Sequence, residues 1–429
     1  MEQLQTIKVA LLGFGTVGGG VFELLEKRKE EMPDKIGVEV EIKKILVRDK
    51  SKKRLGIEQE VFTDSWNEII EDEEIQVVIE VMGGIEPARS YILEALCAGK
   101  HVVTANKDLL AEHGKELLDT AAKYGCDLMF EAAVAGGIPI IRPMKQCLAG
   151  NDISEIMGIV NGTTNFILTK MSEEGMSYQE ALKKAKELGY AEADPTADVE
   201  GYDAGRKIAI MASIAFHSRV TFFDVYIEGI TKITEKDIAY AKELGMRIKL
   251  LGVAKHIEEG IEVKVHPMLL SKEHPLANVA DSFNAVFVHG DALDDAMFMG
   301  RGAGALPTAS AVVGDLIDVV RNMKFHCNGR IGCSCYKEVP VKKIEETSSK
   351  FFMRLQVKDK PGALAGVANV LGNSGVSIAQ VVQKAGDGSF AELVVITDVV
   401  QEGSFQDAIT ILGGMSMVKE ISSVVRVYA

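Results

Sequence analysis

Residues 191–207, AEADPTADVEGYDAGRK, combine several acidic side chains with two basic ones and lead directly into the apolar run IAIMASIAF. Acids can hold the ammonium group of a substrate, and a partly buried lysine of lowered pKa can exchange a proton with an alcohol. Asp203 and Lys207 are four residues apart, so on a helix they could equally form a surface pair worth about 0.3–0.5 kcal/mol. The apolar run from Ile208 favours the first interpretation, because the pair then lies where a helix enters a core.

A second motif with chemical meaning lies near the N-terminus. The stretch GFGTVG follows the apolar segment IKVALL and opens a helical pattern, and it supplies the fingerprint G-x-G-x-x-G. Its first two glycines permit a tight turn and close approach of a pyrophosphate, and the third permits close helix packing. We therefore predict dinucleotide binding by this loop, with contributions from Gly13, Gly15, Thr16, Val17 and Gly18.

The sequence after the second predicted strand bears on the choice of cofactor. It reads VRDKSKKR, with Arg48 at the strand end and lysines following at positions 50, 52 and 53. An arginine there accommodates a 2′-phosphate, whereas an acid would hold a ribose hydroxyl. The basic cluster favours NADP(H). Asp49 is a competing acid, and a solvated loop would leave the choice open, so NAD(H) remains an alternative.

The order of predicted elements indicates the architecture that positions these residues. Strands alternate with helices over the first 130 residues or so, which predicts an α/β fold with a Rossmann-type doubly wound parallel sheet. Helices followed by antiparallel strands predict an α+β substrate and dimerisation domain, and the tail reads β-α-β-β-α-β, a ferredoxin-like order. We place the domains at 1–135, 136–322 and 351–429, with a linker at 323–350 and with residues 300–322 packing back on the first domain.

Composition excludes several classes of function. A net charge of −14 with no basic stripe argues against a nucleic-acid partner, and no apolar run approaches the roughly 20 residues of a membrane span. The N-terminal sequence lacks the pattern of a signal peptide, so we expect a cytoplasmic protein with reduced thiols. Three cysteines in CNGRIGCSC (327–335), with His326 as a fourth ligand, fit no common zinc spacing, which favours incidental thiols in a linker over a metal site.

Several segments together resemble one family. GFGTVGGGV, VMGGIEPA, VVTANKDLLAEHG, EAAVAGGIPII, GIVNGTTNFIL, LGYAEADPTADVEGYDAGRK and GRGAGALPTASAVVGDL are similar, in order and spacing, to homoserine dehydrogenases over roughly residues 7–322. The segment VKDKPGALAGVANVLGNSGVSI resembles an ACT domain. The resemblance implies reversible NAD(P)H-dependent reduction of L-aspartate 4-semialdehyde to L-homoserine, on the route to threonine, methionine and isoleucine.

The resemblance also implies roles for individual residues. Lys207, which would exchange the proton, Lys107 and Asp203 would be the catalytic residues. Asp203, Glu192 and Asp198 would hold the substrate, and Lys107 would lie near cofactor and substrate. Gly189 and Gly302 would join the cofactor site. A monovalent cation, sodium, would be bound through backbone carbonyls of the segment EAAVAGGIP, at Glu131, Val134, Gly136 and Ile138.

The ACT-like tail suggests regulation. Asp359, Pro361 and Gly362 lie at a strand-to-helix turn, where backbone donors could capture an amino-acid carboxylate. The resemblance implies feedback inhibition by L-threonine and pairing of ACT modules in a homodimer or a tetramer. The alternative is a module that only aids oligomerisation.

Two other functions stay open from the residues alone. One is a different small-substrate amino-acid dehydrogenase, although a hydroxy-acid enzyme would need an arginine clamp where this chain has acids. The other is a cofactor-binding sensor without catalysis, which the joint presence of Lys107, Asp203 and Lys207 disfavours.

Overall fold

The computed structural model describes residues 5–52, 54, 56–384 and 389–428, so Lys53 of the predicted basic cluster lies outside the described residues. The chain forms two compact units. The first comprises Met1–Ile156, Arg206–Phe223 and Asn284–Val339, and the second comprises Met157–Gly205, Asp224–Phe283 and Pro340–Ala429.

The secondary structure alternates strands and helices in the first part of the chain. The strands are β1 Thr6–Leu12, β2 Glu39–Leu46, β3 Phe62–Thr63, β4 Ile75–Glu80, β5 His101–Thr104, β6 Leu128–Met129, β7 Ile153–Ile159, β8 Tyr226–Ile227, β9 Met246–Ile257, β10 Gly260–Ser271, β11 Phe283–Gly290, β12 Asp294–Arg301, β13 Ser348–Lys358, β14 Ile378–Lys384, β15 Phe390–Thr397, β16 Val400–Gln401 and β17 Val418–Val427. The helices are α1 Thr16–Arg28, α2 Met32–Ile36, α3 Asn67–Ile70, α4 Ala88–Cys97, α5 Lys107–Tyr124, α6 Gly162–Glu174, α7 Tyr178–Glu187, α8 Thr196–Val199, α9 Tyr202–Ala215, α10 Glu235–Glu243, α11 Ala305–Lys324, α12 Ala363–Asn373 and α13 Glu402–Gly414.

The first unit is built on a six-stranded sheet with strand order β3-β2-β1-β4-β5-β6, in which every pair is parallel. This confirms the predicted Rossmann-type fold, because the order reverses at β1 as it does in doubly wound dinucleotide-binding sheets. Helix α11 packs against α1. The two backbones are so close that a Cβ added to Gly20 would lie 2.6 Å from the carbonyl oxygen of Ala305. Residues 305–324 therefore belong to the core of this unit.

The second unit contains a mixed sheet with strand order β9-β10-β17-β13-β15-β14. Strands β9 and β10 form a twelve-residue antiparallel hairpin ladder, as predicted for this stretch. The tail runs β13, α12, β14, β15, α13 and β17, which confirms its predicted ferredoxin-like order. Strand β17 also pairs with β10, in parallel, through Met268 with Arg426 and Leu269 with Val427.

A buried arginine ties the tail to a neighbouring helix within the second unit. Arg354 on β13 donates from Nε to Asp237 Oδ1 at 3.0 Å and from NH1 to Glu392 Oε1 at 2.9 Å. Asp237 also closes the capping box of α10 with Thr234. A buried guanidinium needs such partners, since its desolvation would otherwise cost several kcal/mol. In the described part of the chain, no helix has the length and apolar character needed to cross a membrane.

Candidate active site

The glycine-rich loop adopts the geometry that its motif requires. Gly13 has a φ of +101° and donates its N–H to Leu46 O at 3.0 Å, and a Cβ at Gly18 would lie 2.2 Å from Gly13 O. A Cβ at Gly15, in contrast, would meet no atom within 4 Å. The first and third glycines are therefore required by packing, and the second leaves the backbone open beside the N-terminus of α1, where an anion is favoured.

A cavity of about 550 Å³ opens beside this loop, within the usual size range of small-molecule sites. Of the predicted cofactor residues in the first unit, Gly13, Gly15 and Arg48 line it. Thr16, Val17 and Gly18 form the first turn of α1 behind the loop. Gly302 does not line the cavity and instead packs against Gly136. A Cβ added to Gly136 would lie 2.2 Å from the carbonyl oxygen of Gly302.

Three basic side chains line the cavity: Arg48, Lys52 and Arg54. Arg54 was not singled out from the sequence, although it ends the segment VRDKSKKR. Its guanidinium lies 4.6 Å from the ring centroid of Phe62 and donates to Lys52 O at 3.0 Å, so it is oriented before any ligand arrives.

The acids of this loop already have partners. Asp49 Oδ1 accepts from the backbone and hydroxyl of Ser51, and these hydrogen bonds lower the pKa of Asp49. Lys50 forms an ion pair with Asp64, with 2.9 Å between Nζ and Oδ1, so its charge is already neutralised and is not available to a phosphate. The positive charge that faces the cavity is therefore that of Arg48, Lys52 and Arg54.

Glu80 holds the backbone of Met82 and Gly83, two residues that line the cavity. It is fully buried at the end of β4, and burial raises its pKa. Its carboxyl group accepts from Met82 N at 2.7 Å, Gly83 N at 3.2 Å and Thr104 Oγ1 at 2.6 Å. Glu80 was not predicted from the sequence, where its only signal is a single acid inside the apolar strand IQVVIEVM.

Lys107 begins α5, directly after the N-cap Asn106, whose side chain accepts from Leu109 N. The next residue, Asp108, forms an ion pair with Arg206, with 2.7 Å between Oδ1 and Nε. Arg206 precedes Lys207 on α9, so this ion pair links the start of α5 to the turn of α9 that carries the proposed proton carrier. Lys107 and Lys207 are both partly buried.

The structure brings two of the predicted substrate acids together. Asn161 donates from Nδ2 to Asp198 Oδ1 at 2.7 Å and to Asp203 Oδ2 at 2.9 Å. Its Oδ1 caps α6 by accepting from Thr164 N at 2.9 Å. Asn161, part of the motif GIVNGTTNFIL, is thus a positioning residue that the sequence analysis did not identify.

Glu192 and Gly189 lie on the exposed segment between α7 and α8. The carbonyl oxygen of Tyr190 in this segment accepts from Thr163 Oγ1 on α6 at 2.6 Å. Within the described residues the carboxylate of Glu192 has no hydrogen-bond partner, in contrast to Asp194, which accepts from Thr196 in a local turn. Glu192 is therefore available to a ligand, but no contact ties it to Asp198 or Asp203.

Comparison with known proteins shows the family to which the chain belongs. Residues 13–131 match the family model "Homoserine dehydrogenase, NAD binding domain", residues 139–317 match "Homoserine dehydrogenase", and residues 352–413 match "ACT domain". A homoserine dehydrogenase of Bacillus subtilis is 44% identical over 427 residues, which are 99% of each chain. The chain belongs to the homoserine dehydrogenase family. It is an NAD(P)-dependent oxidoreductase that acts on a CH–OH group.

Solved homoserine dehydrogenases share the fold. The crystal structure of one from Thiobacillus denitrificans superposes with a TM-score of 0.94 at 39% identity, covering 100% of this chain and 99% of that chain. A hyperthermophilic archaeal homoserine dehydrogenase in complex with NADPH superposes with a TM-score of 0.64 at 29% identity, covering 75% of this chain and 99% of that chain.

The loop that the family resemblance assigns to a cation has suitable backbone geometry. Ala135 and Gly136 both have φ near +55°. In the described structure no backbone N–H donates to the buried carbonyl groups of Val134, Gly136 or Ile138. Buried carbonyls without donors are oxygen ligands for a hard cation. The carboxylate of Glu131 has another task, because it accepts from the backbone of residues 140–142.

The proposed effector residues lie at an exposed turn of the ACT domain. Asp359 donates its N–H to Ser389 O at 3.1 Å, and Gly362 is the N-cap of α12 with a φ of +88°. A Cβ at Gly362 would meet no atom within 4 Å, so the start of α12 is open to a ligand.

Proposed function

We propose that the protein interconverts L-aspartate 4-semialdehyde and L-homoserine, with NADP(H) as the preferred cofactor. The observation that carries the proposal is the pair Asp198 and Asp203, held together by Asn161, with Asp203 one helical turn before Lys207 on α9. Paired carboxylates suit a substrate with an ammonium group, which 2-hydroxy acids lack.

The nicotinamide, when bound, supplies or accepts the hydride at the carbon that bears the oxygen. Lys207 then gives a proton to the alkoxide, or takes one from the alcohol in the reverse direction. Asp198 and Asp203, with Glu192, hold the substrate ammonium, and Lys107 orients the polar groups beside it. Asn161 keeps the carboxylates of Asp198 and Asp203 at a fixed separation, so it positions the substrate without touching it.

The test is reduction of NADP by the full-length protein in the presence of L-homoserine. We expect turnover with homoserine and none with lactate or malate. Equal turnover with a 2-hydroxy acid, or none with homoserine, would contradict the proposal.

The cofactor preference rests on the three basic side chains of the cavity, and the archaeal relative bound to NADPH is consistent with it. We propose that Arg54 shares the 2′-phosphate with Arg48, since its guanidinium is already oriented by Phe62. Gly13, Gly15 and the first turn of α1 would hold the pyrophosphate.

We propose that sodium is bound by the carbonyl oxygens of Glu131, Val134, Gly136 and Ile138 and has a structural role. The melting temperature should be higher in sodium chloride than in tetramethylammonium chloride at equal ionic strength. Each kcal/mol of binding free energy raises the melting temperature of a domain of roughly 150–250 residues by about 2–4 °C. Identical transitions in the two salts would rule out the site.

We propose that L-threonine binds to the ACT domain and thereby lowers the dehydrogenase activity. We also propose that ACT domains of two copies of the chain associate in pairs.

Millimolar threonine should inhibit the wild type. Asp359→Ala should abolish inhibition while leaving basal activity unchanged, and Asp407→Ala, an exposed acid on α13, serves as the matched control. Inhibition that persists in Asp359→Ala would remove the turn from the effector site.

The six cysteines are all free, which fits a reducing compartment, and we propose a cytoplasmic location.

A further inference from the structure

Two cysteines of the segment after α11 face a small cavity lined with cationic side chains. Cys333, Ser334 and Cys335 line it together with Lys145 and Arg219. Its volume of about 30 Å³ suffices for two water-sized molecules or one of hydrogen peroxide. All of these residues belong to the first unit.

Several polar groups around the thiols lack protein partners. The Nε and one terminal nitrogen of Arg219, and the hydroxyl of Ser334, are buried and have no hydrogen-bond partner in the described structure. Lys145 donates to Gly332 O at 3.0 Å, and burial lowers its pKa. Buried donors without partners beside a cavity indicate that an anion or a polar ligand is to be bound there.

The two thiols differ in their proton affinity. The side chain and backbone N–H of Cys335, together with the positive charges of Arg219 and Lys145, lower the pKa of Cys333 to about 5. The neighbouring Cys333 sulfur and burial raise the pKa of Cys335. Cys333 is exposed, whereas Cys335 is partly buried with its sulfur 3.4 Å from Ser213 O. This is the arrangement of a nucleophilic thiolate beside a thiol that can resolve it.

We propose that Cys333 and Cys335 form a redox-active dithiol, in which Cys333 reacts with hydrogen peroxide and Cys335 closes an intrachain disulfide. Arg219 and Lys145 stabilise the Cys333 thiolate and the oxygen anion that leaves. The site does not depend on the proposed dehydrogenase reaction.

The chemistry balances without a further reactant. The Cys333 thiol first releases its proton to solvent. The thiolate attacks one peroxide oxygen, the O–O bond breaks, and the departing hydroxide takes up one proton equivalent from solvent to become water, leaving a sulfenic acid. The Cys335 sulfur then attacks the Cys333 sulfur and the S–O bond breaks. The second hydroxide takes the Cys335 proton, so that one peroxide and two thiols give one disulfide and two waters.

The first test is the pH dependence of alkylation by iodoacetamide, followed by peptide mapping of the full-length, reduced protein. The alkylation rate of a thiol of ordinary pKa falls about 70-fold between pH 8 and pH 6, because its thiolate fraction falls. The alkylation rate of Cys333 should fall less than twofold over the same pH range. Cys147, which is also exposed, is the internal reference. A fall at Cys333 as steep as that at Cys147 would overturn the proposal.

The second test is treatment with equimolar hydrogen peroxide. Tryptic peptide 331–337 contains both cysteines and should become lighter by two hydrogen atoms, reversibly with dithiothreitol. In Cys335→Ser the sulfenic acid should persist on Cys333 and be trapped by dimedone, whereas Cys333→Ser should show neither product. Oxidation of Cys97 or Cys147 at the same rate as Cys333, or a peptide 331–337 that keeps both thiols, would overturn the proposal.

Discussion

Replacing Lys207 with alanine should lower kcat for homoserine oxidation by about 100- to 10,000-fold, the usual contribution of a general acid or base. The reason is that Lys207 is partly buried on α9 one turn after Asp203, where a proton carrier and a substrate-holding acid are both needed. The measurement is steady-state reduction of NADP at saturating homoserine. KM for NADP should change little, because Lys207 does not line the cofactor cavity.

Two variants make this result interpretable. Lys183→Ala removes a lysine whose side chain is 79% exposed on α7 and should behave as wild type. Lys107→Ala tests the other lysine of the site. If it abolishes turnover while Lys207→Ala keeps near-normal kcat, the proton is carried by Lys107, and the role assigned to Lys207 is wrong.

The second large effect concerns the cofactor. Arg54→Ala should raise KM for NADP about tenfold or more, since a charge-assisted hydrogen bond contributes roughly 1.5–3 kcal/mol. KM for NAD should change less than about twofold, because NAD carries no 2′-phosphate. The double variant with Arg48→Ala should lose most of the preference for NADP.

Arg28→Ala is the matched control, because Arg28 ends α1 outside the cavity and pairs only with Glu31 among the described residues. Arg54 also stacks on Phe62, so the melting temperature of Arg54→Ala must be measured to separate lost packing from lost binding. Equal increases in KM for NAD and NADP would show that neither arginine reads the 2′-phosphate.

The fold could be predicted because its signals are local. Apolar strands, helical periodicity and glycine turns recur in chain order, and the parallel sheet follows from their alternation. The ferredoxin-like tail follows in the same way from its order of strands and helices. The nucleotide loop could also be located, since its glycines are constrained within one β-α turn and meet atoms close to them in sequence or in the adjacent strand.

The site could be predicted only in part, because its contacts join distant segments. Asn161 reaches Asp198 and Asp203 across about forty residues of sequence, and no periodicity marks such a bridge. Glu80 acts through backbone groups of the following loop, and Arg54 was one basic residue among several in its segment. The cysteines were judged by metal-ligand spacing, whereas their surroundings depend on Lys145 and Arg219, which are remote in sequence.

The parallel pairing of β10 with β17 has a consequence for protein engineering. Because backbone hydrogen bonds connect the ACT domain to the β9–β10 hairpin, it is not an appendage that can be cut off at the linker. A chain that ends before β13 would leave Met268 and Leu269 of β10 without their partners on β17, whereas β8 would still pair with Lys264 and Val265. Unpaired strand edges can recruit strands from other molecules. Deletion would therefore disturb the hairpin as well as remove the ACT domain, so loss of regulation is better sought with point substitutions.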